Sequence, residues 1–328
     1  DFDLQDIKTL FRREQHDEKR GVSYSGVHYL PNGEFCFVTK SRCIDATGAD
    51  IDDVMLIENN VQLHTEILDV TTLTGDKAEI SAFIRNLFRF NDITRTATII
   101  GWACSCFLSE QLAKLDIKQP HIFISGEAGS GKSQTVEAVL MQMFSLQRKF
   151  AAGQLTDFVA MSASSSTNTT PLIIDEYKPH YIGVKRVACV SDLLRNTYDR
   201  QDMNRGKADL SVKVYKYRAP VVVIGEAGSM ETAIKERGLE LIFEKKTTLA
   251  KEHTEAFRAL KANPTKLRQL GRSLLMTAMR LTPDDIATNL DIVRGATTQL
   301  IHSMIPGIPP RIEDSIFCCI NGLYLMEQ

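Results

Sequence analysis

The chain has 328 residues, 43% of them hydrophobic and 24% charged, with a formal net charge of −2 at pH 7. That length predicts two or three structural units around a sizeable core, and the composition excludes a disordered or fibrous chain. The near balance of charge also excludes a wholly basic surface, so any contact with nucleic acid must come from a local cluster.

Seven cysteines (Cys36, Cys43, Cys104, Cys106, Cys189, Cys318 and Cys319) form no C-x-x-C pair, and their odd number speaks against a disulfide framework or a zinc site. Buried thiols in a reducing cytoplasm are the expectation. No stretch has the length of a membrane span, and no secretory signal is visible, so no membrane partner is expected. The first residue is Asp1 rather than Met, which reads as a piece cut from a longer protein.

Residues 1–75 read as a small β-rich unit. Val27–Leu30, Phe35–Val38 and Val54–Ile57 are strand-like runs, with a turn at Pro31-Asn32-Gly33. Asp50, Asp52 and Asp53 suit a solvated acidic loop better than a metal cluster. From Asp76 the period becomes helical: Ile80, Phe83, Ile84, Leu87 and Phe88 recur at steps of three and four. A second apolar helix is expected over Ala97–Leu115, closing a helical segment 76–119 that ends before Pro120.

Residues 120–247 alternate strand and helix. Strands are expected at Ile122–Ile124, Pro171–Ile174 and Ala219–Ile224, with helices at Ser133–Phe144 and Val187–Tyr198. That order predicts an α/β core, a parallel sheet with helices on both faces. The rest, 248–328, reads as helical, with runs at Glu252–Leu260, Lys266–Leu281, Ile286–Met304 and Ile312–Met326. The polar run Ser162–Thr170 stands out from its surroundings.

Chemistry concentrates where the first of these strands ends. Gly126-Glu127-Ala128-Gly129-Ser130-Gly131-Lys132-Ser133, followed by Gln134, fits G-x-x-x-x-G-K-[ST] between a strand and a helix. Backbone N–H groups of such a loop cradle phosphates, and the helix N-terminus adds its dipole. Lys132 is placed for the outer phosphates and Ser133 for a Mg²⁺ ion. The strand before Tyr177 ends in Asp175-Glu176. These carboxylates emerge at the loop's end of a parallel sheet, Asp175 as a metal ligand and Glu176 to orient or deprotonate water. Loop and carboxylates together point to ATP hydrolysis with Mg²⁺ as cofactor.

Two further segments bear on what hydrolysis drives. Arg195–Arg218 holds seven basic residues against three acidic ones. It reads as a β-hairpin whose Arg205, Lys207, Lys213 and Lys216 face the phosphates of a single strand; the bland alternative is a solvated edge strand with protective lysines. After it, Val221–Ile224 leads into Glu226, and Lys235-Glu236-Arg237-Gly238 follows. Arg237, just before the apolar Leu239–Phe243, reads by itself as a helix-end surface charge.

GWACSCFLSE, GEAGSGKS, PLIIDEYKP, RGKADLSV, APVVVIGEAGS and KERGLELIF together make residues 95–245 resemble the AAA+ ATPases of phage and mobile-element replication modules, related to superfamily 3 and minichromosome-maintenance-like helicases. The resemblance implies an AAA+-like phosphate-loop core with a helical, lid-like C-terminal domain. It implies a hexameric ring, Arg237 as an arginine finger, and work on single-stranded DNA, often beside a primase domain or protein. It also implies a polar sensor residue on a strand between the loop strand and the acidic strand; Glu226 stands there, although Asn, Thr or Ser is usual. A non-motor ATPase switch in signalling or antiphage defence is the rival class.

Overall fold

Short β-branched and aromatic runs near the N-terminus pair with their neighbours along the chain. The computed structural model describes residues 19–57, 62–206, 212–226 and 231–328. β1 (Arg20–Val22) opens this part; β2 (Gly26–Tyr29), β3 (Phe35–Val38) and β4 (Cys43–Asp45) form an antiparallel meander; β5 (Val54–Leu56) returns parallel to β1. The expected Pro31-Asn32-Gly33 turn is closed by the Leu30 N–H on the Glu34 carbonyl at 2.8 Å. β1 and β4 escape the sequence pattern because three residues carry no readable period.

Helices follow. α1 (Lys77–Leu87) is capped by Asp76 and α2 (Ile93–Phe107) by Asp92, each carboxylate accepting an N–H of the first turn. The single helix expected over 97–115 is broken at Leu108, and α3 (Ser109–Lys114) continues beyond it. Fully buried Trp102 donates its indole N–H to the Pro120 carbonyl at 2.7 Å, which ties α2 to the start of the central sheet.

That sheet has five parallel strands: β6 (His121–Gly126), β7 (Phe150–Ala151), β8 (Leu172–Tyr177), β11 (Val221–Gly225) and β12 (Gly238–Phe243), in the spatial order β12-β6-β11-β8-β7. Its connections are α4 (132–143), α5 (Asp157–Ser164) and α6 (Val184–Tyr198), with the hairpin β9 (Asp202–Gly206) and β10 (Val212–Lys216) inserted before β11. Alternate side chains go to opposite faces. Ile122, Ile124, Ile173, Val222 and Ile224 join a core with α2 and α4, whereas Phe123, Leu172, Ile174, Val221 and Val223 join another with α5 and α6. Both faces are therefore dry, as an all-parallel sheet requires.

The chain ends in α7 (Lys251–Lys261), α8 (Pro264–Ala278), α9 (Pro283–Met304) and α10 (Pro310–Tyr324). α10 lies against α2 at a contact only glycine permits: a Cβ on Gly322 would stand 1.9 Å from the Gly101 carbonyl oxygen. The expected α/β class, β-rich N-terminal part and helical C-terminal part are all present. All seven cysteines are buried free thiols, and among the described residues no helix is long and apolar enough to cross a membrane.

The polar run Ser162–Thr170 is buried apart from half-buried Ser165. Asn168 accepts from the Val27 N–H at 3.1 Å and donates to the Val27 carbonyl at 2.7 Å, while Ser25 bonds the Ser166 carbonyl through both its N–H and its hydroxyl. The N-terminal meander is thus stitched to the segment that runs into β8.

Candidate nucleotide site

β6 delivers the chain to a loop whose glycines are there for conformation. Gly126, Gly129 and Gly131 have φ of 142°, 76° and 87°, a region that side chains with a Cβ rarely enter. At Gly126 a Cβ would also strike the Phe243 carbonyl at 2.1 Å. Gly131 hands the chain into α4, so the first-turn N–H groups of that helix face the loop. Ser130 is buried, Glu127, Ala128, Gly129 and Gln134 form an exposed rim, and Lys132 and Ser133 lie between. Glu127 is fixed by accepting from the Lys245 N–H at 3.0 Å.

Lys132 curls back over this loop, its ammonium 2.7 Å from the carbonyls of both Gly126 and Glu127. Partial burial pulls the ammonium below the usual lysine range, against the pull of Asp175; Lys178 lowers it further, while Glu226 and Glu127 oppose. Those four residues therefore share one electrostatic environment with Lys132.

Ser133 Oγ donates to Asp175 Oδ1 at 3.2 Å, joining the loop to the end of β8. Asp175 is buried and Glu176 exposed. The difference follows from a bulge: Val223 pairs with Ile174 but Gly225 with Tyr177, so Asp175 and Glu176 together oppose Ile224 alone. Such a bulge re-aims a side chain. Glu176 takes φ 58°, and its N–H is held by Asp175 Oδ1 at 2.8 Å. A non-glycine residue in that region is uncommon and such outliers gather at functional sites.

These donors are hard oxygens, a hydroxyl and a carboxylate at one point. Asp175 Oδ2 already carries an ammonium, that of Lys149, at 2.7 Å. Ser133 and Asp175 therefore fit Mg²⁺, which binds one or two carboxylates and completes its shell from phosphate and water.

β11 lies between β6 and β8, the place expected of a sensor strand, and brings Glu226 to the same end of the sheet; the Glu226 N–H meets the Tyr177 carbonyl at 3.4 Å. Arg237 is elsewhere. It precedes β12, and the six residues of that strand, at about 3.3 Å each, separate it by roughly 20 Å from the end beside Gly126. Its side chain is 13% exposed, pairs with Asp199 at 3.5 Å and donates to the Ala233 carbonyl at 2.6 Å. Arg237 does not meet the loop of its own chain.

The hairpin is present, with Arg205 directly opposite Lys213 and Asp202 opposite Lys216. Lys207 lies outside the described residues. The Arg205 guanidinium sits 4.8 Å above the ring of Phe158, at the first turn of α5, and the Lys213 ammonium 4.9 Å from the ring of Tyr215. Val212 and Val214, on the other face, are exposed.

Three lysines that the motifs do not mark surround the loop: Lys149, Lys178 and Lys245, the last with its side chain against Gly129. Lys178 and Lys245 follow strand ends on the loop side of a parallel sheet, and that position is the signal by which they were findable.

No family model and no curated protein matches the chain in sequence. Among solved structures the fold is similar to one described as "SCCmec type IV Cch - active helicase", with a TM-score of 0.62 at 12% identity over 98% of this chain. This chain covers 58% of that one's length. The apo structure of the NrS-1 C terminal region also matches, with a TM-score of 0.43 at 9% identity over 98% of this chain and 88% of that one. At such identities the likeness is one of fold.

Proposed function

We propose that the chain is an ATP-hydrolysing motor, a ring-forming DNA helicase or translocase serving the replication of a phage or mobile element. One observation carries the hydrolytic reading: the 3.2 Å contact that brings Ser133 of the loop to Asp175 of the acidic strand, with Glu176 turned outward beside it. The likeness of fold to a protein described as an active helicase supports the motor reading.

In this reading the loop N–H groups and Lys132 hold the phosphates of ATP, with Gly126 to Gln134 as the cradle. Ser133 and Asp175 hold Mg²⁺, which when bound neutralises charge on the phosphate oxygens. Glu176 takes the proton of the attacking water, and its exposed position leaves it free to do so. Glu226 orients that water from β11. A neighbouring copy supplies Arg237, since its own chain places it too far away, and six copies close a ring. Arg205, Lys207, Lys213 and Lys216 grip single-stranded DNA through its phosphates. Residues 1–75 form a small N-terminal unit, 76–119 a helical linker or collar, 120–247 the ATPase core and 248–328 the lid. The machine works in the cytoplasm beside a primase domain or protein.

The test is ATP turnover of the full chain with and without single-stranded DNA, alongside Lys132→Ala. The expected result is turnover that DNA stimulates and Lys132→Ala abolishes. Turnover indifferent to DNA, with no DNA binding, would remove the motor reading and leave an ATPase switch.

A further inference from the structure

Lys149 belongs to no motif, yet it makes the tightest polar contacts at the site. It lies just before β7, the strand next to β8, and its ammonium is 2.7 Å from Asp175 Oδ2 and 2.5 Å from Glu137 Oε1. Glu137 comes from α4, within the turn Val136–Leu140 that widens to π-helical form, a deviation frequent at functional sites. The Asp175 side chain is 9% exposed, that of Lys149 34% and that of Glu137 49%. One lysine therefore bridges a buried carboxylate and a wetter one.

Both oxygens of Asp175 are engaged: Oδ1 with the Ser133 hydroxyl and the Glu176 N–H, Oδ2 with Lys149. The Lys149 ammonium is a cation on a flexible stem, with two anions in reach. A divalent ion drawn to Asp175 meets that cation on the same carboxylate.

We propose that Lys149 is a positioning residue that holds the Asp175 carboxylate as a stand-in cation and withdraws to Glu137 when a divalent ion binds. The pair Lys149–Glu137 thereby sets the metal concentration at which the site loads. This rests on the nucleotide–metal reading of the loop and adds to it a competition that Ser133, Asp175 and Glu176 alone do not contain.

The competition predicts shifts of opposite sign. Lys149→Gln removes the competitor and lowers the half-saturating metal concentration. Glu137→Gln removes the refuge, leaves Asp175 as the only anion bonded to Lys149 among the described residues, and raises it. Each shift is expected at about tenfold, within the range of coupling between residues in one ion-pair network. If Glu137 acted on the ion simply by its own charge, its removal would matter equally with or without Lys149. The tether requires instead that Glu137→Gln has no effect in the Lys149→Gln background.

The experiment is Mn²⁺ binding to the full chain, followed by electron paramagnetic resonance in the presence of ADP, for wild type, both single variants and the double variant. Opposite single shifts and a silent second substitution support the tether. Shifts of the same sign, as a folding defect would give, overturn it, as does a Glu137→Gln effect that persists in the double variant. Unchanged half-saturation in both single variants overturns the tether alone. A wild type with no Mn²⁺-dependent nucleotide binding overturns the reading of the loop, and the tether with it.

Discussion

Arg205 and Lys213 stand directly opposite each other across the β9–β10 ladder. Like charges in that position destabilise an antiparallel pair by up to about 1 kcal/mol. The two aromatic rings beneath them, Phe158 and Tyr215, offset part of that repulsion. A polyanion along the ladder would offset the rest. Arg205→Ala and Lys213→Ala are each expected to weaken single-stranded DNA binding uniformly across sequences. Each should reduce the slope of log affinity against log salt by about 0.7. Titrations at several salt concentrations measure it, and an unchanged slope would take the hairpin out of the interface.

Asp175 and Glu176 are adjacent but differently set, and their variants should separate. Glu176→Gln is expected to keep nucleotide binding and lower turnover by about 10²–10⁴-fold, the usual contribution of a placed base. Asp175→Asn should instead raise the Mg²⁺ concentration needed for turnover, since it removes charge from the Ser133 contact. Steady-state kinetics over a Mg²⁺ series distinguishes the two, and identical profiles would contradict the separate roles.

Arg237 is committed to Asp199 and Ala233 within its own chain. If it serves the neighbouring copy, it must exchange these partners on assembly. Arg237→Ala should then lose about 10³–10⁵-fold in turnover while still binding nucleotide. Mixing it with Glu176→Gln should restore part of the activity, because one interface would combine an intact Glu176 with an intact Arg237. Failure of the mixture, together with a lowered melting temperature of Arg237→Ala, would make the residue structural.

Two buried histidines make stability depend on pH. Burial pulls both His28 and His121 down to about 4, each despite a backbone carbonyl at its ring, and a nearby arginine lowers each further. In the unfolded chain both titrate near 6.5. Between these values the unfolded state binds two protons that the folded state does not. Stability therefore rises with pH through this window and is lost as pH falls through it, by about 3 kcal/mol per site. Urea melts at pH 7 and pH 4.5 measure the loss, and His121→Gln should diminish it. An equal loss in that variant would exclude His121 as a source.

Gly101 and Gly322 predict a purely mechanical effect. Gly322→Ala puts a methyl group against the backbone of α2, which cannot yield as a side chain end can. A cost of about 1–3 kcal/mol is expected, read from a denaturant midpoint, with little change in nucleotide affinity for the fraction still folded.

The loop, the Asp175–Glu176 pair, the hairpin and the parallel sheet were legible because each has a local pattern. Gly126, Gly129 and Gly131 are spaced for positive φ, carboxylates end an apolar run, and lysines alternate with valines. β7 was illegible because two residues carry no period, and with it went Lys149, whose position beside Asp175 depends on that strand. Leu239–Phe243 reads as apolar after Arg237, yet only pairing with β6 makes Gly238–Phe243 a strand. Ser162–Thr170 is polar in composition, yet no local pattern shows that its Asn168 amide bonds Val27 of β2 and its Ser166 carbonyl accepts from Ser25, each some 140 residues away. The hydroxyls of Ser164, Ser165 and Ser166 bond carbonyls three residues back. The inward turn of Arg237 likewise depends on Asp199, which no short-range pattern connects to it.

The stitching of Val27 to Asn168 makes the N-terminal meander part of the same structure as the central sheet. Asn168 lies just upstream of the strand that carries Asp175, so the meander is joined through β8 to that carboxylate. An excised core beginning at α1 would leave the Asn168 amide and the Ser166 carbonyl without these partners, and such a fragment would be an unsound vehicle for testing nucleotide turnover. Anything coupled to the meander, a fused module or a docked protein, would therefore be tied by a short stretch of chain to Asp175.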